Sequence, residues 1–338
     1  MKIALDAMGG DHAPAAAVEG AVMALEEFGS DINRLYLVGD EREIRDELDR
    51  IHYADAKIEI VHASQVVGME ESAVKSLRSK KDSSISVAMD LVKKGYCDAV
   101  VSAGNTGAAV AAATVKLRTL EGVSKAGIAS PLPNEYGTCN IVDAGANVDA
   151  KPGHLLGYGI MGAAYSKYVL KKEHPIAGLM SVGEEDSKGT DFTREVFALL
   201  KESHLNFRGN IEGHDLFETE LDVVVCDGFV GNVILKSCEA TAKAVSKWLK
   251  TEIKRSPVSI CGAVLAKKAF AAAKERGNYE SYGGSPLLGV RGVCIIGHGS
   301  SSPRAIKNAI RMAAQSVKHE LNPHIEEEMA RCSTLTAE

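Results

Sequence analysis

Met1-Lys-Ile-Ala-Leu-Asp-Ala-Met-Gly-Gly-Asp-His-Ala-Pro14 opens the chain with a strand, a turn and the start of a helix. The apolar run from Ile3 to Ala7 reads as a buried strand. It breaks at Gly9-Gly10, and Pro14 suits the first turn of a helix, with Asp11 or His12 near the cap. That combination aims backbone N–H groups at a point where an anion can sit. An ordinary tight βα turn has the same glycine content, so the reading depends on what the rest of the chain adds.

Outward from this unit, short β-branched runs alternate with longer helical patterns. This is the signature of an α/β fold with a mainly parallel sheet covered by helices. Strands are expected near 3–7, 34–38, 58–61, 99–102, 126–129, 140–143, 176–181, 223–226 and 293–296. Helices are expected between them, for example over 14–28, 84–94, 107–120, 191–201 and 303–321. Residues 155–170 are apolar, but they are short and carry Lys167, so they read as a packed interior helix and not a membrane span. One stretch departs from the alternation. Residues 233–276 are mostly helical, interrupted at Ser256-Pro257, and offer no strand. The chain is therefore expected to form a single α/β catalytic unit over 1–338, with 233–276 as a protruding helical hairpin.

Composition narrows the function. The chain has 338 residues, 45% hydrophobic and 25% charged, the balance of a soluble globular protein. Aromatics at 5% and a net charge of -6 argue against a nucleic-acid partner. The cysteines (97, 139, 226, 238, 261, 294 and 332) form no CxxC pair. Without a signal-peptide pattern they read as reduced thiols in a cytosol.

Six expected strands run into small, polar, glycine-containing loops: 8–12, 102–107, 143–147, 181–189, 226–232 and 297–301. In an open parallel sheet the carboxyl ends of the strands line one crevice, so these loops are expected to share a ligand cleft. Such a cleft offers backbone donors, the amides of Asn105, Asn147 and Asn232, the ammonium of Lys188, and the imidazoles of His12 and His298. There is no G-x-S-x-G elbow and no Cys–His spacing to signal a covalent acyl-enzyme. The G-x-G-x-x-G dinucleotide fingerprint is also missing. Asp6, Asp143 and Asp227 at strand ends could hold a divalent ion, but such aspartates more often cap helices or orient neighbours. Neither a metal nor a cofactor is expected.

Taken in series, several motifs resemble the bacterial phosphate acyltransferase family of phospholipid synthesis. They are Asp6-Ala-Met-Gly-Gly-Asp-His-Ala-Pro14, Ser102–Gly107, Asp143-Ala-Gly-Ala-Asn147, Ser181-Val-Gly-Glu-Glu-Asp186 with Lys188, and Asp227-Gly-Phe-Val-Gly-Asn232. Tyr282-Gly-Gly-Ser-Pro-Leu-Leu-Gly289 and His298-Gly-Ser-Ser301 complete the match. The resemblance implies transfer of a long fatty acyl group from acyl carrier protein to inorganic phosphate, giving acyl phosphate. It implies a fold similar to phosphotransacetylases and to isocitrate and isopropylmalate dehydrogenases, a homodimer, and Lys188 and Asn232 as the essential pair.

The residue chemistry suits that reaction. Phosphate is already an anion, so it needs positioning and charge compensation more than a strong base. Attack on a thioester puts negative charge on the carbonyl oxygen, which N–H groups, an amide and an ammonium can stabilise. Lys188 is assigned to hold phosphate or the oxyanion, and Asn232 to orient one of the two. A solvated loop lysine and a helix N-cap after Gly231 are the plain alternatives. Supporting contacts are expected from Gly9, Gly10, Asp11 and His12, and from Asn105 and Thr106. Others are expected from Gly145, Asn147, Asp186, Asp227 and Gly231, and from His298, Gly299 and Ser300.

From Pro257 onward, Val258, Cys261, Val264, Leu265, Ala269 and Ala272 fall near one helical face, with Lys254, Arg255, Lys267, Lys268 and Lys274 around it. A basic amphipathic helix can lie on an anionic bilayer or pack against a second subunit. The residues favour the subunit. The resemblance implies both, with Val258, Val264, Leu265, Lys267 and Lys268 at a membrane-touching tip. Those lysines could equally receive the acidic carrier protein, and the membrane glycerol-3-phosphate acyltransferase is a further expected contact. The expected location is the cytoplasm, peripherally on the inner face of the cell membrane. Two other readings stay open: a metal- and NAD-dependent decarboxylating dehydrogenase of similar fold, and a non-catalytic scaffold for acyl carrier protein.

Overall fold

Ile3, Ala4 and Leu5 are all fully buried, as a strand covered on both faces requires. They lie in β1 (Lys2–Asp6), which is followed by α1 (Ala15–Phe28), β2 (Arg34–Gly39), α2 (Glu41–Arg50) and β3 (Ile58–His62). Next come α3 (Ala73–Ser79), α4 (Ser84–Lys93), β4 (Ala99–Ser102) and α5 (Thr106–Lys116). β5 (Gly127–Asn134) and β6 (Gly137–Val142) form a hairpin, and α6 (Pro152–Ala164) follows. β7 (Ile176–Met180), α7 (Asp191–Glu202), β8 (Asn206–Ile211), α8 (Asp215–Glu218) and β9 (Val223–Val225) lead into the long α9 (Gly228–Lys254). α10 (Pro257–Leu265) and α11 (Lys267–Arg276) complete the hairpin region. The chain returns through β10 (Ser285–Leu288), β11 (Val293–Ile296), α12 (Pro303–Lys318) and α13 (Leu321–Leu335). This computed structural model describes residues 1–277 and 279–335.

All the strands join one 11-stranded sheet in the order β3-β2-β1-β4-β11-β10-β5-β6-β9-β7-β8. Pairing is parallel except at β11–β10, β10–β5 and β5–β6. The fold is thus α/β with a mostly parallel, mixed sheet. Three antiparallel steps leave β6, β9, β7 and β8 running opposite to β1, β2, β3, β4 and β11. The register nevertheless brings the six loops to one level of the sheet. Ser285 pairs with Ile296 at the end of β11, Leu287 with Ile128, and Ala129 with Val142 at the end of β6. β5 therefore runs on past the carboxyl end of β11, and the two sets of strands point towards each other. The loops after β1, β4 and β11 and those after β6, β9 and β7 emerge from the two halves at that level, with β10 and β5 between them.

On one face α1, α6, α7, α12 and α13 cover a core containing Val18, Tyr158, Leu200, Ile306 and Ile325. On the other, α4 and α5 cover one cluster, and the first turns of α9 pack over β5, β6 and β9 through Val230, Ile234 and Leu235. Leu235 touches both clusters on this second face, so α9 begins along the seam between the two halves.

Other expectations need adjustment. Pro14 itself is the N-cap of α1, which has no side-chain cap, so neither Asp11 nor His12 serves there. The helix expected over 303–321 ends at Lys318, and Glu320, at φ 48°, separates it from α13. Residues 155–170 do form an interior helix, with Leu155, Tyr158, Ile160 and Met161 buried. The single amphipathic helix expected after Pro257 is two short helices that meet at Ala266. Neither of the two buries a side chain, and Val258 and Leu265 are 80% and 89% exposed. Among the described residues no helix is long and apolar enough to cross a membrane.

Candidate active site

The first loop group is built by close backbone approach. Asp11 N donates to Gly299 O at 2.8 Å, tying the turn after β1 to the turn after β11. Gly10 has φ 106°, and a Cβ there would lie 2.9 Å from Gly299 O. Only glycine closes that turn. Below it, buried Asp6 accepts from Ser102 Oγ at 2.7 Å. Burial raises the Asp6 carboxyl above its ordinary 3.8, against hydrogen bonds from Ser84 and Ser102. Asn105 caps α5, with Oδ1 accepting from Ala108 N at 3.0 Å. Its Nδ2 is held by the carbonyls of Gly68, Met69 and Glu71 at 3.3, 2.8 and 3.1 Å. His298 Nδ1 accepts from Ser300 N at 3.2 Å. Asp11, His12, Thr106, His298 and Ser300 are exposed at these strand ends, with Gly9 and Gly299 half-buried.

The second group centres on the start of α9. Asp227 is its N-cap, with Oδ1 accepting from Val230 N at 2.9 Å. Asn232 therefore lies inside the helix, which removes its alternative reading as a cap. Gly228 N donates to Asn147 O at 2.9 Å. At Gly231 a Cβ would fall 2.0 Å from Asp143 O, so the helix meets the loop after β6 backbone to backbone. Gly145 faces Asn232, since a methyl on it would lie 3.4 Å from Asn232 Cβ. Asn147 Nδ2 donates to Ala126 O at 2.6 Å and to Tyr158 OH at 2.9 Å.

Lys188 rides on the loop after β7, the neighbour of β9 in the sheet. Its N–H donates to Glu185 O at 2.9 Å, and Asn210 Nδ2 also donates to Glu185 O, at 2.9 Å. Asp186 pairs with Lys201 at 2.9 Å, on the outer side of the same loop.

Four of the expected polar contacts are thus committed: Asn105 and Asp227 as caps, Asn147 in internal ties and Asp186 in an exposed ion pair. Lys188 and Asn232 differ. Both are exposed, and among the described residues neither functional group has a hydrogen-bond or ion-pair partner. They project from adjacent strand ends in one half of the sheet. The group at 9–12, 105–106 and 298–300 belongs to the strand ends of the other half.

Tyr158 is a residue that sequence reasoning did not place in the site, and Asp143 entered it only as a strand-end aspartate able to hold an ion or orient neighbours. An aspartate ahead of Ala-Gly-Ala-Asn is the signal that was available, because Asp side chains often bond backbone N–H groups that follow them. Glu184, His214 and Asp215 bring possible metal ligands within 4.8 Å of one another. Asp215 is already engaged with Glu212 N at 2.8 Å and Thr219 Oγ1 at 2.6 Å, and none of Asp6, Asp143 or Asp227 belongs to that cluster.

A family model described as "Fatty acid synthesis protein" matches residues 1–323. A phosphate acyltransferase of Akkermansia muciniphila is 57% identical over 99% of this chain and 97% of its own. One from Citrifermentans bemidjiense is 49% identical over 97% and 93%. Among solved structures, a phosphotransacetylase from Streptococcus pyogenes superposes with a TM-score of 0.62 over 94% of each chain at 17% identity. A branched-chain phosphotransacylase from Enterococcus faecalis does so at 0.55, over 94% and 99%, with 14% identity. At those identities the likeness concerns the fold alone.

Proposed function

The chain belongs to the phosphate acyltransferases of the fatty acid synthesis family, and on that premise we propose that Lys188 and Asn232 carry the acyl transfer, with acyl carrier protein as the acyl donor. Family membership decides for a transferase over the dehydrogenase and scaffold alternatives. The observation that carries the assignment is the uncommitted, exposed state of these two groups at adjacent strand ends.

In the proposed step a phosphate oxygen attacks the thioester carbonyl carbon. The carbonyl oxygen takes negative charge, the C–S bond breaks, and the carrier's sulfur leaves as a thiol with the proton released from phosphate. The Lys188 ammonium compensates charge on phosphate or on the oxyanion, and the Asn232 amide orients one of them. Asn147, Asp227, Gly145 and Gly231 hold Asn232 in place. Gly9, Gly10, Asp11, His12, Asn105, Thr106, His298, Gly299 and Ser300 form a supporting anion-holding surface at the strand ends of the other half of the sheet.

The exposed helical hairpin serves a homodimer and the membrane surface in this reading. Val258, Val264 and Leu265 supply apolar contact, and Lys267 and Lys268 attract anionic headgroups or the carrier. The membrane glycerol-3-phosphate acyltransferase is the proposed receiver of the product, and the cytoplasmic side of the cell membrane the place of action.

Incubation with palmitoyl acyl carrier protein and labelled phosphate should give labelled acyl phosphate. Folded protein that forms none contradicts the reading.

A further inference from the structure

Asp143 is fully buried, and burial raises its carboxyl above the ordinary 3.8, opposed by the backbone N–H groups around it. Its carboxylate is satisfied by N–H groups. Oδ1 accepts from Ile128 N, Gly145 N and Ala146 N at 3.0, 3.1 and 3.0 Å. Oδ2 accepts from Asn147 N at 2.7 Å and from Asn147 Nδ2 at 3.3 Å. All but one of these donors lie in the loop that follows. An ionised carboxylate is acceptor-only, so it can serve every one of them. Replacing either oxygen by a donor breaks the set.

The loop so shaped governs Asn232 in two ways. Gly145, pinned through its own N–H, is the residue that faces the Asn232 side chain. Asn147, pinned through both its nitrogens, presents the carbonyl that receives Gly228 N and so sets the first turn of α9. The Asp143 carbonyl itself lies against Gly231, one residue before Asn232. The N–H groups of Gly145 and Ala146 are consumed by Asp143, so what this loop contributes to the site is shape.

We propose that Asp143 is a positioning residue for the acyl transfer: its carboxylate folds 144–147 into the surface that aims the Asn232 amide at the reacting group. The inference rests on the assignment of Asn232 to the site.

The test is a double-mutant cycle on turnover, using the full chain. Asp143→Asn keeps the shape and turns one acceptor into a donor. It should lower kcat by about 10- to 100-fold, as a misplacement near 1 Å does, and leave KM for phosphate nearly unchanged. In an Asn232→Ala background the same change should cost almost nothing more, because the group it positions is gone. A loss of equal size in both backgrounds, or a rise in KM with kcat unchanged, overturns the proposal. Full activity in Asn232→Ala alone overturns the underlying site assignment, a separate outcome. If Asp143→Asn does not fold, Tyr158→Phe decides. It removes only the hydroxyl that Asn147 Nδ2 contacts, and should lower kcat severalfold in the native background and not in Asn232→Ala. Unchanged kcat in Tyr158→Phe then contradicts the proposal.

Discussion

Gly231 illustrates how little space separates the loop after β6 from the start of α9. A methyl there would meet the Asp143 carbonyl, which is backbone and cannot swing away. Gly231→Ala should therefore lower stability by about 1–3 kcal/mol, the usual cost of overpacking, and displace Asn232 with it. Urea unfolding and turnover measured together check this, and a variant with native stability and rate would contradict it. At this scale the sequence showed which residue types gather at strand ends, and the family resemblance singled out Lys188 and Asn232. It did not show which polar groups remain open. Asn105 and Asn147 are the same kind of residue as Asn232, but each is consumed by backbone groups that come from elsewhere in the fold. Those partners are invisible until the chain is folded.

Among the elements, the strands buried on both faces were legible and the marginal ones were not. β8, Asn-Phe-Arg-Gly-Asn-Ile, lies at the sheet edge and buries only Asn210 and Ile211, so it lacks an apolar alternation. β10 is four residues long and contains a proline. The segment between β3 and α4 has its own electrostatics. Glu71 accepts from Lys80 Nζ at 2.5 Å, Ser76 Oγ at 2.7 Å and Gly68 N at 3.0 Å, with Lys80 foremost in holding its carboxyl down at about 2. Its contribution to stability is present above 4.5, the ordinary value, and is lost as pH falls through about 2. Glu71→Gln should flatten the acid limb of the stability profile between those values. An acid limb identical to the native one would argue against this role. Lys80 is thus tied to Glu71.

The hairpin of α9, α10 and α11 leaves Trp248, Val258, Val264 and Leu265 at least 66% exposed. Val264→Glu with Leu265→Glu should reduce binding to vesicles containing anionic lipid. Unchanged binding would assign the tip to subunit contact alone. The break at Ala266 was not legible, because nothing in Leu265-Ala266-Lys267 disfavours a continuous helix.

At the level of the whole molecule, strand alternation predicted an α/β protein but not the sense of its strands. A single hairpin, β5–β6, with β10 beside it, reverses half of the sheet, so loops that look equivalent in sequence come from strands of opposite sense that point towards each other. The seam is bridged on one face by α9, and Ala144 and Ala146 share an apolar cluster with Ala108, Ala109 and Ala112 of α5. The second loop group is therefore packed against the helix that starts in the first. Transfer of the acyl group is assigned to the second group. The direct measurement is the rate of acyl phosphate formation by Lys188→Ala and by Asn232→Ala, each confirmed as folded. Loss of one preorganised donor should cost about 10²- to 10³-fold in kcat for either variant. Native rates in both would contradict the account.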